Sequence, residues 1–242
     1  MTEQYFKHYP TIEFDLKNDG NLIEAKDIFR NIRISEDAEE SITGYEYYYV
    51  DDQDRPDVLA DKLYADSTLY WLFWMVNPHL ATYTDWPKSQ RVLERFIKRK
   101  YSGKALVSQQ QSDIVFSSDS KFFQGEKVVG STSSAFGFVT NIDPTNKQLV
   151  LNDIQGNFVV GETVTGSNST KSFIINSVRN FSDSPHHYED SEGNKTTIST
   201  GNTPVSNSDF EQKFNDDKRN IRYIKPEYTS QLLREFKSFI RS

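Results

Sequence analysis

Apolar and polar positions change period along the chain, and the changes divide it into three parts. In the first part, 1–102, Asp27-Ile28-Phe29-Arg30-Asn31-Ile32-Arg33-Ile34 alternates apolar and polar residues and predicts a half-buried strand. An acidic loop follows, then Tyr45-Glu46-Tyr47-Tyr48-Tyr49-Val50, a second β-prone run, and Asp51-Asp52-Gln53-Asp54, a turn. Pro56 fits the first position of a helix, where its fixed φ suits and its missing N–H is not needed. Leu59 and Leu63 then share one face of that helix. Asp66 or Ser67 can cap a second helix over 69–76. Leu69, Leu72, Phe73 and Val76 make its buried stripe, and Trp71, Trp74 and Met75 occupy the remaining face. Such a helix must be covered on both sides. The pattern leaves open whether Trp71 and Trp74 complete a core or face another protein. A third helix is predicted from Pro87 to about Lys100, burying Val92, Leu93, Phe96 and Ile97.

The second part, 103–181, loses the helical period and repeats itself. Phe122-x-x-Gly125-Glu126-x-Val128-x-Gly130-Ser131-x-Ser133 recurs as Phe158-x-x-Gly161-Glu162-x-Val164-x-Gly166-Ser167-x-Ser169. Each copy runs on into alternating apolar residues, so the tandem units cover 122–142 and 158–178. Short antiparallel strands closing into a small sandwich or barrel are expected, with glycine at the tight turns. The third part, 182–242, opens with a polar, partly mobile loop over 182–209. It continues with a strand over 219–224, then a helix opened by Pro226, with Tyr228, Leu232, Phe236 and Phe239 or Ile240 on one stripe. The first and third parts share a strand followed by a Pro-started helix. The expected class is therefore α+β, one module interrupted by a small all-β domain.

Composition narrows the possible functions. The 242 residues contain no cysteine, which excludes disulfides, thiolate metal sites and a cysteine nucleophile. The longest apolar run, 69–76, is far below the about 20 residues of a membrane-spanning helix. The N-terminus has no apolar signal core, so a secretion route is not expected. A net charge of −7 argues against a nucleic-acid partner. Hydrophobic residues make up only 36% of the chain, yet aromatics make up 14%. Aromatics bury large areas and are favoured at protein interfaces.

Candidate chemistry is thin. His186-His187, with Asp183, Glu189 and Asp190 nearby, is the best metal candidate. Adjacent residues of an extended chain point to opposite sides, however, so both rings are not expected to reach one ion. Gly130-Ser131-Thr132-Ser133-Ser134 lacks the Lys-Ser/Thr pair of a phosphate loop and reads as a turn of the repeat. No nucleophile elbow surrounds a serine. The cations Arg95, Lys98, Arg99 and Lys100 suit the C-terminal end of the third helix. No metal, no cofactor and no catalytic residue is expected.

Two resemblances follow from residues already quoted. Tyr48-Tyr49-Val50, Arg55-Pro56-Asp57-Val58-Leu59-Ala60, Leu63-Tyr64, Leu69-Tyr70-Trp71 and Asn77 resemble the LysM pattern. That pattern implies a βααβ module and, in many members, binding of peptidoglycan or chitin. Here Asp51-Asp52-Gln53-Asp54 replaces its usual Gly-Asp or Gly-Glu turn. Taken in order with Asp27-Ile28-Phe29-Arg30-Asn31, Asp85-Trp86 and Ile221-x-x-Ile224-Lys225-Pro226, the same residues resemble the gene 53 baseplate wedge family of T-even-type contractile-tail phages. The resemblance covers roughly 27–100 and 219–240; the repeat-bearing domain lies outside it.

This second resemblance implies a virion structural protein that joins neighbouring wedge subunits around the hub. Its partners would be other wedge proteins and hub or tail-tube-proximal proteins, in several copies per symmetric baseplate. It would be assembled in the host cytoplasm and would bind neither nucleic acid nor membrane. A LysM-type glycan-binding protein is the alternative. The residues proposed to meet partners are Tyr47, Tyr49, Tyr70, Trp71, Trp74, Trp86, Phe236 and Phe239.

Overall fold

A computed structural model describes residues 5–27, 44–108, 122–196 and 201–241. The strand expected over 27–34 lies, beyond Asp27, outside the described residues. Helices and strands are both present, as an α+β chain requires. The chain forms two compact units, one of Met1–Ser89 with Asn215–Ser242 and the other of Gln90–Phe214. Among the described residues no helix is long and apolar enough to cross a membrane.

The first unit starts with a hairpin of β1 (Thr11–Phe14) and β2 (Ile23–Lys26). Its second sheet pairs β3 (Tyr45–Tyr49) antiparallel with β13 (Asn220–Ile224), from Tyr49 opposite Asn220 to Tyr45 opposite Ile224. Helix α1 (Pro56–Tyr64) follows β3, with Pro56 in its first turn and Ala65 closing it in the left-handed conformation. Asp66 caps the next segment through the Thr68 N–H. That segment winds as a 3₁₀ turn (Ser67–Trp71) before becoming α2 (Leu72–Val76). Two clusters fill the unit. Leu59, Ala60, Phe73, Leu80, Trp86, Val50 and Ile221 lie on one side of the β3–β13 pair. Leu69, Trp71, Leu72, Val76, Ile224 and Tyr9 pack against α5 (Pro226–Arg241) through Phe236 and Ile240. In the segment 69–76, Leu69, Trp71, Leu72, Phe73 and Val76 are thus buried, whereas Trp74 and Met75 are half-buried and Tyr70 is exposed.

Buried polar groups stitch this unit across long sequence distances. Asn77, almost fully buried, accepts from the Arg222 N–H at 2.8 Å and donates to the Arg222 carbonyl at 2.8 Å. Its amide therefore completes the outer edge of β13 as a third strand would. Arg219 donates to the Val50 carbonyl at 2.8 Å, to the Lys88 carbonyl at 3.1 Å and to Asp52.

The second unit holds a closed barrel with the strand order β4-β7-β6-β5-β8-β9. Its strands are β4 (Lys104–Ser108), β5 (Lys127–Gly130), β6 (Phe136–Asp143), β7 (Gln148–Gln155), β8 (Thr163–Gly166) and β9 (Ser172–Asn180). Inward residues from all six strands form its core, with Phe122 and Phe158 joining from the connections. Closure leaves no free sheet edge. The two glutamates of the repeated motif are buried. Glu126 accepts from the N–H groups of Phe123, Asn168 and Ser169, and Glu162 from those of Val159, Thr132 and Ser133. A Cβ on Gly130 would sit 2.7 Å from the Glu162 carboxylate, and one on Gly166 would sit 2.6 Å from that of Glu126. The glycines are there because a carboxylate occupies the space.

Two expectations for this region change. The residues 182–209 hold strands β10 (Pro185–Glu189), β11 (Lys195–Thr196) and β12 (Thr203–Ser206), paired in the order β11-β10-β12, and then the start of α4 (Asn207–Asp217). Residues 197–200 lie outside the described residues. These strands are short and polar, so they carry no apolar alternation to reveal them. The predicted third helix, α3, spans Gln90–Lys100; Leu93 and Ile97 are buried and Phe96 half-buried, but Val92 is exposed. The unit boundaries fall at 89/90 and 214/215, whereas the sequence pattern changes at 102/103 and 181/182. The reason is packing: Leu93, Ile97 and Tyr101 pack with Phe181, and Lys100 and Tyr101 both bond Glu211 of α4.

Candidate protein interface

Aromatic side chains of the first unit surround a groove of about 800 Å³. It is lined by Tyr5, Phe6, Tyr70, Trp71, Trp74 and Tyr83, with Thr68, Met75, Ala81 and Thr82 between them. No charged side chain is in that lining. Trp74 organises the groove. Its ring stacks on Tyr83 with centroids 5.9 Å apart, meets Tyr70 edge-on at 6.0 Å and backs onto Trp86 at 5.5 Å. Its indole N–H donates to the Thr82 carbonyl at 3.0 Å. Tyr70 and Tyr83 remain 42% and 69% exposed, so the walls are solvated aromatic faces.

The loop bearing Tyr83 is fixed from below. Asp85 accepts from the Thr82 N–H at 2.9 Å and its hydroxyl at 2.8 Å, and pairs with Lys218 at 3.0 Å. The hydrogen bond from Lys218, then those from Thr82, outweigh burial and lower the Asp85 carboxyl to about 2. Asp85 therefore stays ionised, and able to accept from Thr82 and Lys218, across ordinary pH.

The eight residues proposed from sequence separate by burial. Trp71, Trp86 and Phe236 are core residues. Trp71 packs on Phe236 at 4.7 Å and Trp86 lies 5.7 Å from Phe73. Most of their area is buried inside the unit, with Trp71 also edging the groove. Trp74 is half-buried as the groove floor. Tyr70 is exposed on the groove wall, and Tyr47, Tyr49 and Phe239 are exposed elsewhere on the unit. Tyr47 and Tyr49 share the face of β3 turned away from Val50 and Ile221. Sequence reasoning missed Tyr5, Phe6 and Tyr83. Their only signal was aromatic identity, because they lie outside any periodic segment.

His186 and His187 also differ from expectation. Their Nδ1 atoms are 2.9 Å apart, and His186 stacks on Phe210 of α4 at 3.8 Å. An irregularity in the β10–β12 register between Pro185 and His187 breaks the alternation that would have separated the rings. His187 turns its other nitrogen to Glu189 at 3.3 Å. Among the described residues no group of three or more His, Asp or Glu is placed to hold a metal ion.

Comparison with known proteins gives two findings. The family model described as "Base plate wedge protein 53" matches residues 5–126. The baseplate wedge protein gp53 of Enterobacteria phage T4 is 30% identical over 101 residues, which is 40% of this chain and 50% of that protein. The chain thus spans about half the length of the curated relative it matches.

Proposed function

The chain belongs to the base plate wedge protein 53 family, and from that premise we propose that it is a structural subunit of a phage tail baseplate wedge, without catalytic activity. It acts by binding other baseplate proteins, joining neighbouring wedge subunits around the hub in the assembled virion. The observation that carries this reading beyond the family is the neutral aromatic groove around Trp74. Its lining holds no carboxylate, histidine or lysine, the side chains that most often act as catalytic acid or base near neutral pH. Stacked, solvated aromatics with little rotamer freedom make good anchors for an apolar segment of another protein. Tyr47, Tyr49 and Phe239 supply further exposed contacts on the same unit.

The β3–α1–α2–β13 succession supports reading this unit as a LysM-like βααβ module. Its last strand is delayed by the intervening residues, of which we read 103–181 as an inserted β-domain. The glycan-binding alternative draws no support from the relatives found. The test is reconstitution with the other purified wedge proteins encoded alongside this one. The wild-type chain is expected to enter a larger complex on sedimentation, and the double substitution Phe6→Ser and Tyr83→Ser to weaken that entry without unfolding the chain. A wild-type chain that stays apart from every wedge protein would count against the proposal.

A further inference from the structure

Helix α3 carries charge where its own stability does not call for it. Leu93, Ile97 and Tyr101 bury one face. Arg91, Arg95, Lys98 and Arg99, spaced i, i+4, i+7 and i+8, form a continuous row on the opposite face, and all four are exposed. Among the described residues none of the four has a hydrogen bond, ion pair or ring contact. Lys100, by contrast, turns inward to Glu211. Lys98 and Arg99 suit the negative end of the helix dipole. Arg91 does not: it sits in the first turn, where the dipole is positive and acidic residues are absent. Arg91 with Arg95, and Arg95 with Arg99, are like charges at i, i+4, which destabilise a helix. The dipole accounts for Lys98 and Arg99, and Glu94, three residues after Arg91, offsets the Arg91 charge; Arg95, flanked four residues away on each side by Arg91 and Arg99, is left unexplained.

We propose that this face of α3 is a docking surface for an acidic patch on another wedge protein. The charge complementarity is specific to the row, because the chain as a whole carries −7. That net charge repels an extended polyanion such as duplex DNA, whose field reaches beyond one helix, more than it repels a compact acidic patch within a Debye length of about 8 Å. Arginine forks pair carboxylates bidentately. Val92, 47% exposed and seven residues before Arg99, adds an apolar shoulder of the kind a folded protein surface covers. The proposal rests on the wedge reading and deepens it by naming a second contact.

The experiment measures binding of the purified chain to the purified wedge assembly lacking it, at low and at physiological salt. The quadruple variant Arg91→Gln, Arg95→Gln, Lys98→Gln and Arg99→Gln should bind at least about tenfold more weakly and lose most of the salt dependence. A control carrying Lys17→Gln, Lys171→Gln, Lys195→Gln and Arg234→Gln makes the same change in net charge and should bind like wild type. Arg91→Glu separates docking from helix stability. It suits the helix N-terminus, so it should raise the melting temperature while weakening binding. A quadruple variant that binds like wild type with the same salt dependence overturns the docking surface and leaves the wedge reading standing. A wild-type chain that binds no wedge protein overturns both. Tight binding of duplex DNA by wild type, lost in the quadruple variant, overturns the protein partner in favour of nucleic acid.

Discussion

Arg219 is a buried cation whose guanidinium joins residues from three parts of the first unit: the Val50 carbonyl, the Asp52 carboxylate and the Lys88 carbonyl. Arg219→Ala removes the donor to the Val50 carbonyl and one of the donors to the Lys88 carbonyl and the Asp52 carboxylate. It is expected to destabilise the unit by about 1–3 kcal/mol, since the carboxylates left behind are half-exposed, read from urea unfolding followed by tryptophan fluorescence. Arg219→Lys should recover little, since one ammonium cannot replace a planar fork. An unchanged unfolding midpoint in Arg219→Ala would refute this. Glu162 gives a matching case in the barrel. Burial pushes its carboxyl up, but the hydrogen bonds from Ser133, Val159 and Thr132 outweigh it and hold the group below the usual range. Every neighbour is a donor, so Glu162→Gln turns an amide N–H₂ toward N–H groups. A loss of about 1–3 kcal/mol is expected, and Gly130→Ala should approach it by displacing the carboxylate. The repeat motif makes Glu126 and Glu162 visible in the sequence. Their burial is not visible, because an acid on a Ser/Gly-rich turn reads as a surface residue until the facing turn, about 30 residues away, is placed.

Elements with a local signature were legible: Pro56 and Pro226 open helices, and Asp66 caps the turn before α2. Elements defined by distant partners were not. The β3–β13 pairing closes over some 170 residues, and β10, β11 and β12 are too short and polar to show a period. The pair of histidines on β10 yields a prediction at this scale. Burial first, then the neighbouring His187 and Lys195, lower the affinity of His186 for a proton, with Glu211 opposing. A histidine depressed in the folded state contributes its full stability above the unfolded value near 6.5 and loses it as pH falls below. With both of its ring nitrogens protonated, His186 also has no Nδ1 acceptor to offer in its contact with His187. The β10–α4 packing should therefore loosen as pH falls from about 6.5, seen as faster amide exchange at His187 and Phe210. His186→Phe keeps the stack on Phe210 and has no proton to gain, so it should abolish that acid sensitivity. The same acid loosening in His186→Phe would exclude His186 as its source.

The two units differ in how the chain enters and leaves them. The first unit is interrupted between residues 89 and 215, and its broken ends lie side by side: the Lys88 N–H donates to the Asn215 amide oxygen at 2.7 Å, and the Asn215 amide donates back to the Lys88 carbonyl at 3.0 Å. Ends this close can be joined with little loop-closure cost. The clusters around Leu59 and Trp71 draw on residues before 90 and after 214 only. Replacing residues 90–214 by a short Gly/Ser linker should therefore leave the first unit folded, with β3 still paired to β13. All three tryptophans, Trp71, Trp74 and Trp86, lie in that unit, so its state can be read without interference from the other. The shortened chain should keep the native tryptophan fluorescence and near-ultraviolet circular dichroism and lose them in one cooperative melt. It should also keep the groove around Trp74 and lose the basic row on α3, which separates the two proposed contacts in a wedge-binding measurement. A shortened chain with solvent-exposed tryptophans would mean that the first core needs the residues of the second unit.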